Sequence, residues 1–309
     1  MTYSLATVRT TSDTAAVIEV GGGYYRLSDI SPELLQPSPS RGLINVFEQW
    51  EEREPVCAEL ADAISRRAAG ASRIDPAPKA DDFLTPLQYP SKVVLTGANY
   101  YEHLYKDAGM LDFRKEDKIP TFFLKPPTTT LVGSGKSVRY PTQSKQFDWE
   151  IELAVIVGKR MRRVSAAHAM RYVAGYTIGL DLSARDWQLH PKHLVKFDLF
   201  GGKAFDDSCP LGPRITPARY VQHDNLDLKL WVNDVLKQNA NSRDMIWSLP
   251  EQLAAMSEHV TLEPGDVILT GTPAGVGWAT GQYLKVGDRI DAEISGLGRL
   301  SVEIIADGG

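Results

Sequence analysis

Three carboxylates stand at alternate positions of one apolar run: Asp148, Glu150 and Glu152 in Asp148-Trp149-Glu150-Ile151-Glu152-Leu153-Ala154-Val155-Ile156-Val157-Gly158. β-Branched residues fill the run and a glycine closes it, so it reads as a strand. Side chains two apart in a strand share a face, spaced by about 6.6 Å. The acids therefore fall on one face, with Trp149, Ile151 and Leu153 on the other. Acids crowded on a half-buried face lose hydration and repel one another unless a cation neutralises them. A hard divalent ion held by oxygen ligands is the chemistry that suits this pattern. The alternative is a solvated edge strand whose acids face water. Glu150 and Glu152 can converge on one ion. Asp148 lies about 13 Å from Glu152 in an extended strand, which suits it to a supporting role.

Asp181 ends a second apolar run, Gly175 to Leu182, from which a side chain can project into a site off a rigid element. It can complete a three-carboxylate set with Glu150 and Glu152, leaving positions open for water or substrate; its other reading is a turn-capping aspartate. His103 follows a strand-like stretch and lies in a polar, aromatic segment without apolar periodicity, where a histidine reads as functional. His190 and His193 lack a third nitrogen or sulfur ligand at a suitable spacing, so zinc is not expected. Lys203 follows Gly201-Gly202, which allow close backbone approach to a ligand. Gly271, Gly275 and Gly277 permit exposed N–H groups around a carboxylate, with Thr272 as an added donor. No Gly-x-Gly-x-x-Gly opens a helix here, so a dinucleotide site is not expected.

These residues must be positioned by short strands. Strand character is read at 92–97, 121–124, 137–140, 149–157, 173–182, 226–232, 267–270, 289–294 and 298–305. Helices are predicted at 166–172 behind Ser165 and at 249–258 behind Ser248, each with a serine N-cap. Strands at 4–9 and 15–20, a Gly21-Gly22-Gly23 turn and a helical stretch from Leu43 to Ala68, split at Pro55, form the beginning of the chain. The Pro-, Ala- and charge-rich stretch 70–80 reads as a linker. The expected organisation is a small N-terminal α/β domain at 1–85 and a second domain at 86–309. The class is α+β, predominantly β, without the βαβα rhythm of a doubly wound sheet.

The 309 residues, 43% hydrophobic and 24% charged with a net charge of -5, describe an ordinary globular chain of enzyme size. That charge offers no case for nucleic acid or an anionic membrane. No apolar run is long enough to span a bilayer, and no secretory leader is expected. The two cysteines, Cys57 and Cys209, read as reduced thiols. A cytoplasmic protein is expected.

The motifs at 148–158, Asp181 to Asp186, Gly202 to Asp206 followed by Pro210 to Pro213, and Thr270 to Gly277 resemble the fumarylacetoacetate hydrolase superfamily. They run in register over about residues 88–305, with Asn99-Tyr100-Tyr101-Glu102-His103 at the front. The resemblance implies a mixed β-roll, commonly a homodimer, and Mg²⁺ or Mn²⁺ held by Glu150, Glu152 and Asp181. It places Lys203 as the lysine stabilising developing negative charge, and His103 as the histidine that activates water. Arg185, Gln188 and Thr272 fall where members contact substrate. The implied chemistry acts on 2-oxo and 2,4-dioxo acids. The leading expectation is hydrolytic C–C cleavage of an acylpyruvate; isomerisation or decarboxylation of a 2-oxo diacid is the alternative. A non-catalytic protein that binds small acids is the third reading. One position departs from the pattern: family hydrolases commonly carry glutamate three residues after the histidine, and here it is Lys106. Either Glu102 or Asp107 takes that role, or the chemistry needs no strong base there. Residues 99–118 are expected to form a lid, of low stability without ligand, that orders when substrate binds.

Overall fold

The computed structural model describes every residue except Ser12, Ala68, Ala69 and Gly309. Seventeen strands are present among the described residues. They are β1 (Tyr3–Arg9), β2 (Thr14–Val20), β3 (Gly23–Arg26), β4 (Val93–Gly97), β5 (Thr121–Lys125), β6 (Leu131–Val132), β7 (Lys136–Arg139), β8 (Phe147–Asp148) and β9 (Ile151–Val157). Then follow β10 (Val173–Leu180), β11 (Ser183–Ala184), β12 (Cys209–Pro217), β13 (Asp227–Val232), β14 (Val235–Asn241), β15 (Val267–Leu269), β16 (Arg289–Ile294) and β17 (Gly298–Ile305). The expected β-dominated α+β class is the one observed.

The larger sheet has the order β3-β2-β1-β12-β10-β9-β15-β4-β5, with β6 added beside β12; a smaller, five-stranded sheet runs β14-β13-β16-β17-β7, and β11 and β8 form a separate pair. Because β1 pairs with β12, Leu5 opposite Ile215, the sheet continues across residue 85 into the N-terminal segment. The two sheets enclose one core: Leu153, Val155 and Ile178 of the larger meet Leu230, Ile290 and Val302 of the smaller. On its other face the larger sheet packs Ala154, Ile156 and Leu269 against Phe47, Trp50 and Cys57 from the helical stretch. β9 is therefore buried on both faces and hydrogen-bonded on both sides, which excludes the solvated edge strand.

Several expectations are corrected. The helical stretch breaks at Gln49, between Ile44–Glu48 and Trp50–Ser65, and Pro55 lies inside the second helix. Glu51 and Pro55 are both exposed, so water can take the carbonyl that proline leaves without a donor. The expected end at Ala68 lies outside the described residues. β12 escaped prediction because its prolines and glycine read as loop. Its partner β6 and the antiparallel strands β1 and β10 hold it in place. β14 escaped because it is largely polar and exposed; a two-residue turn, Asn233-Asp234, with φ of 49° and 63°, joins it to β13. Among the described residues, no helix is long and apolar enough to cross a membrane.

Phe47 is fully buried and stacks on Trp50 with ring centroids 5.0 Å apart. Phe47→Ala should cost about 3–5 kcal/mol of unfolding free energy. Urea titration checks this, and the lost packing should lower the transition midpoint.

Candidate active site

β9 and its neighbours place the acids. The register sets Glu152 opposite Gly179 and Ile151 opposite Leu180, so the chain leaving β10 brings Asp181 beside Glu150. The Asp181 N–H donates to the Glu150 carbonyl at 3.0 Å. On the other side of β9, β15 runs antiparallel, and the chain beyond it folds along the beginning of β9. There the Gly271 N–H donates to Glu152 Oε2 at 2.7 Å, and the Thr272 hydroxyl to the Ile151 carbonyl at 2.9 Å. Gly271 sits at φ +96°, and a Cβ there would lie 2.5 Å from Asn99 Cβ, so no other residue type fits. Ligand oxygens of Glu150, Glu152 and Asp181 all lie within 4.8 Å of one another, and all three residues are buried.

Three cations surround these acids. Lys203 Nζ donates to Glu150 Oε2 at 2.8 Å and Asp181 Oδ2 at 2.6 Å. Arg185 donates to Asp148 Oδ2 at 2.8 Å through Nε, to Glu150 Oε1 through Nη2, and to Gln188 Oε1 at 3.3 Å through Nη1. Lys125, not singled out in the sequence, is fully buried with Nζ 2.9 Å from Asp181 Oδ1. Its ammonium also donates to the carbonyls of Leu182, Lys203 and Ser208. The hint in the sequence was a lysine closing the apolar run Thr121-Phe122-Phe123-Leu124. Asp148 accepts from the backbone N–H groups of Trp149, Gly277 and Trp278 as well as from Arg185. It braces the cluster rather than facing it, as its spacing suggested.

Electrostatics decides whether the residues fit a divalent cation. Four buried acids (Asp148, Glu150, Glu152, Asp181) face three cations (Lys125, Arg185, Lys203), which leaves one negative charge uncompensated. Burial tends to raise Glu150, but Lys203 and Arg185 outweigh it and hold the group below the ordinary carboxylate range. Glu152 has no cation in contact. Burial, then the charges of Asp181 and Glu150, push it well above that range. An excess of buried oxygen ligands and more acids than cations fit Mg²⁺ or Mn²⁺.

The acids open into a cavity of about 300 Å³, whose lining includes His103, Arg185, Gln188, Lys203 and Thr272. The predicted site residues are thus brought together. His103 sits in a single π-helical turn, His103–Asp107, closed by the Ala108 N–H on the His103 carbonyl at 3.2 Å. A π turn is wider than an α turn, so the fourth residue on, not the third, comes beside the first. His103 Nδ1 meets Asp107 Oδ2 at 2.7 Å, while Lys106 turns outward to Glu102 at 2.9 Å. Asp107, one of the two acids considered, therefore takes the position beside the imidazole. The front of the segment, 99–104, is anchored, while most of 105–118 is exposed. Tyr100 is buried, Leu104 packs on Ile246 and Trp247, and the Asn99 side chain bonds the Trp247 and Thr270 carbonyls.

Three further expectations change. The amides of Gly271, Gly275 and Gly277 serve the protein's own carboxylates, Glu152, Asp107 and Asp148, not an external one. Thr272 lines the cavity, but its proton is already on the Ile151 carbonyl, and it accepts from Gln238 Nε2 at 2.8 Å. Gly202 gives close approach to Gln188, whose Cγ lies 2.2 Å from where a Cβ would stand. Gln238, buried in β14, also accepts from the Ile151 N–H at 3.0 Å, and no signal in the sequence marked it.

Comparison with known proteins places this geometry. Residues 92–305 match the family model described as fumarylacetoacetate (FAA) hydrolase C-terminal. The chain is 34% identical over 290 residues to the mitochondrial oxaloacetate tautomerase Fahd2a of Rattus norvegicus, covering 93% of this chain and 85% of that one. Maleylpyruvate hydrolase from Sphingobium sp. SYK-6, solved in complex with manganese(II) ion and pyruvate, is 30% identical with a TM-score of 0.75, covering 98% of this chain and 99% of that one. 2-Hydroxyhepta-2,4-diene-1,7-dioate isomerase from Mycobacterium marinum is 28% identical with a TM-score of 0.69, covering 99% of each.

Proposed function

This chain belongs to the fumarylacetoacetate hydrolase family, and from that membership we propose that it is a divalent-metal-dependent hydrolase cleaving the C–C bond of an acylpyruvate-type 2,4-dioxo acid. The observation that carries the reading is His103, paired through Nδ1 with Asp107, lining the same cavity as the acid cluster and Lys203. Glu150, Glu152 and Asp181 would hold Mg²⁺ or Mn²⁺, which when bound supplies Lewis-acid polarisation of a 2-oxo acid and charge stabilisation of its enolate. Asp107, fixed by the Gly275 N–H at 3.1 Å, orients the imidazole and keeps the proton on Nδ1. Nε2 is then the base that takes a proton from water for attack on the distal carbonyl. Lys203 stabilises negative charge that develops on the departing pyruvate fragment, an oxyanion-hole contribution from a site already shaped for it. C–C bond cleavage thus releases the pyruvate enolate and a second acid, and the water proton held on His103 passes to the enolate carbon to give pyruvate. A homodimer in the cytoplasm is part of the same reading.

Keto–enol tautomerisation of a 2-oxo diacid is the second reading, favoured by the name of the Rattus norvegicus relative. The two readings differ only in whether the imidazole takes its proton from water or from C3 of the substrate. A panel of acylpyruvates and oxaloacetate, assayed with Mg²⁺ and with Mn²⁺, separates them. Stoichiometric pyruvate from the acylpyruvates is the expected result. Ketonisation of oxaloacetate without any cleavage would overturn the hydrolase reading in favour of the second.

A further inference from the structure

The cavity has two chemically distinct ends. At the acid cluster its only lining lysine and arginine are Lys203 and Arg185, and both are already engaged by Glu150, Asp181 and Asp148. Phe123, Leu189, Phe197, Leu199 and Trp278 supply the large apolar side chains of the remaining walls, beside the polar Thr96, Thr121, Gln188 and Thr272. Phe123 also packs under Lys203, with Nζ 5.6 Å from its ring centroid, so it joins the two ends. Leu199 opens the short helix Leu199–Lys203, which ties the apolar wall to the lysine four residues on.

We propose that this wall selects the acyl end of the substrate, and that the chain takes monocarboxylic acylpyruvates with an aliphatic or aryl tail in preference to those ending in a second carboxylate. The proposal rests on the hydrolase reading for the reaction but on the wall alone for the preference. One carboxylate and its 2-oxo group belong at the acid cluster, beside Lys203 and the carboxylates that would hold the metal. A second carboxylate would lie against these apolar side chains, and no lysine or arginine beyond the two already engaged lines the cavity to pair it. An alkyl or aryl group in the same place gains contact with Phe197, Leu199 and Trp278, and its burial from water is favourable.

The test uses two non-cleavable 2-oxo acids of matched length, 2-oxohexanoate and 2-oxoglutarate, titrated calorimetrically into the Mg²⁺-loaded protein. Neither has a 4-oxo group, so the readout is binding and does not depend on which reaction the site performs. 2-Oxohexanoate should bind at least about tenfold more tightly. Equal or tighter binding of 2-oxoglutarate would overturn the inference. Pentanoylpyruvate and succinylpyruvate, compared as substrates, should differ in kcat/KM in the same direction. If neither is cleaved while the binding preference holds, the hydrolase reading fails and this inference stands. Leu199→Arg, which sets a cation in the wall, should narrow or reverse the preference in binding. Should that variant not fold, the wild-type titration decides by itself.

Discussion

Replacing Asp107 by asparagine should lower kcat by about 10²–10⁴-fold with little change in thermal stability. The carboxylate accepts from His103 Nδ1 at 2.7 Å and from the Gly275 N–H at 3.1 Å. Asparagine keeps the shape and can still accept from Gly275. Its amide, however, can donate to Nδ1 and so move the imidazole proton to Nε2, where it blocks general-base catalysis. The neighbouring change Lys106→Ala should leave kcat within about twofold, because an exposed pair with Glu102 contributes little. Steady-state kinetics on the two variants side by side makes the comparison. A large loss at Lys106 with none at Asp107 would return the catalytic partner to the position three residues on and remove the dyad from the mechanism.

The acid cluster gives the second large effect, with a signature in stability as well as rate. Glu152→Gln should reduce metal-dependent turnover by about 10³-fold or more, as should exhaustive chelation of the wild type. Glutamine keeps an oxygen for the Gly271 N–H and removes the one acid that has no cation in contact. The metal-free protein should therefore melt no lower than the wild type. Asp181→Asn should behave differently. Asp181 pairs with Lys203 and lies beside Lys125, and its loss leaves two buried ammonium groups short of a partner, at a cost of about 3–5 kcal/mol. Melting curves in excess chelator, read together with activity after metal is restored, distinguish the two. Full turnover after chelation would sink the metal reading, and equal destabilisation by both substitutions would contradict the charge count.

Much of the strand set was legible from short apolar or alternating runs bounded by turn residues, and β16 and β17 fall on the residues predicted. The failures share a cause. β12 and β14 are strands by virtue of their partners: the first carries Pro210, Pro213 and Gly212, and the second is polar and exposed. Local propensity therefore pointed away from both, and hydrogen bonding to neighbours prevailed. Pro55 misled in the opposite sense, because a proline near a helix start costs little when the freed carbonyl can reach water. The segment around His103 looked unanchored for want of periodicity. A single buried leucine, Leu104, and the Asn99 side-chain bonds were sufficient to dock it.

What the sequence determined by itself was chemistry set within a few residues. Alternation along one strand aligned Glu150 with Glu152, and an apolar run delivered Asp181 at a strand end. Both follow from backbone geometry and need no partner. Only the tertiary structure decided the partners of those groups. The β9–β10 register set Asp181 against Glu150, and a lysine 56 residues before Asp181 in the chain, Lys125, supplied its second cation. The turn that selects Asp107 over Lys106 is held by an amide 168 residues away, that of Gly275. Charge compensation and hydrogen-bond satisfaction in a buried cluster depend on every group within a few ångströms, and chain order does not determine which groups those are.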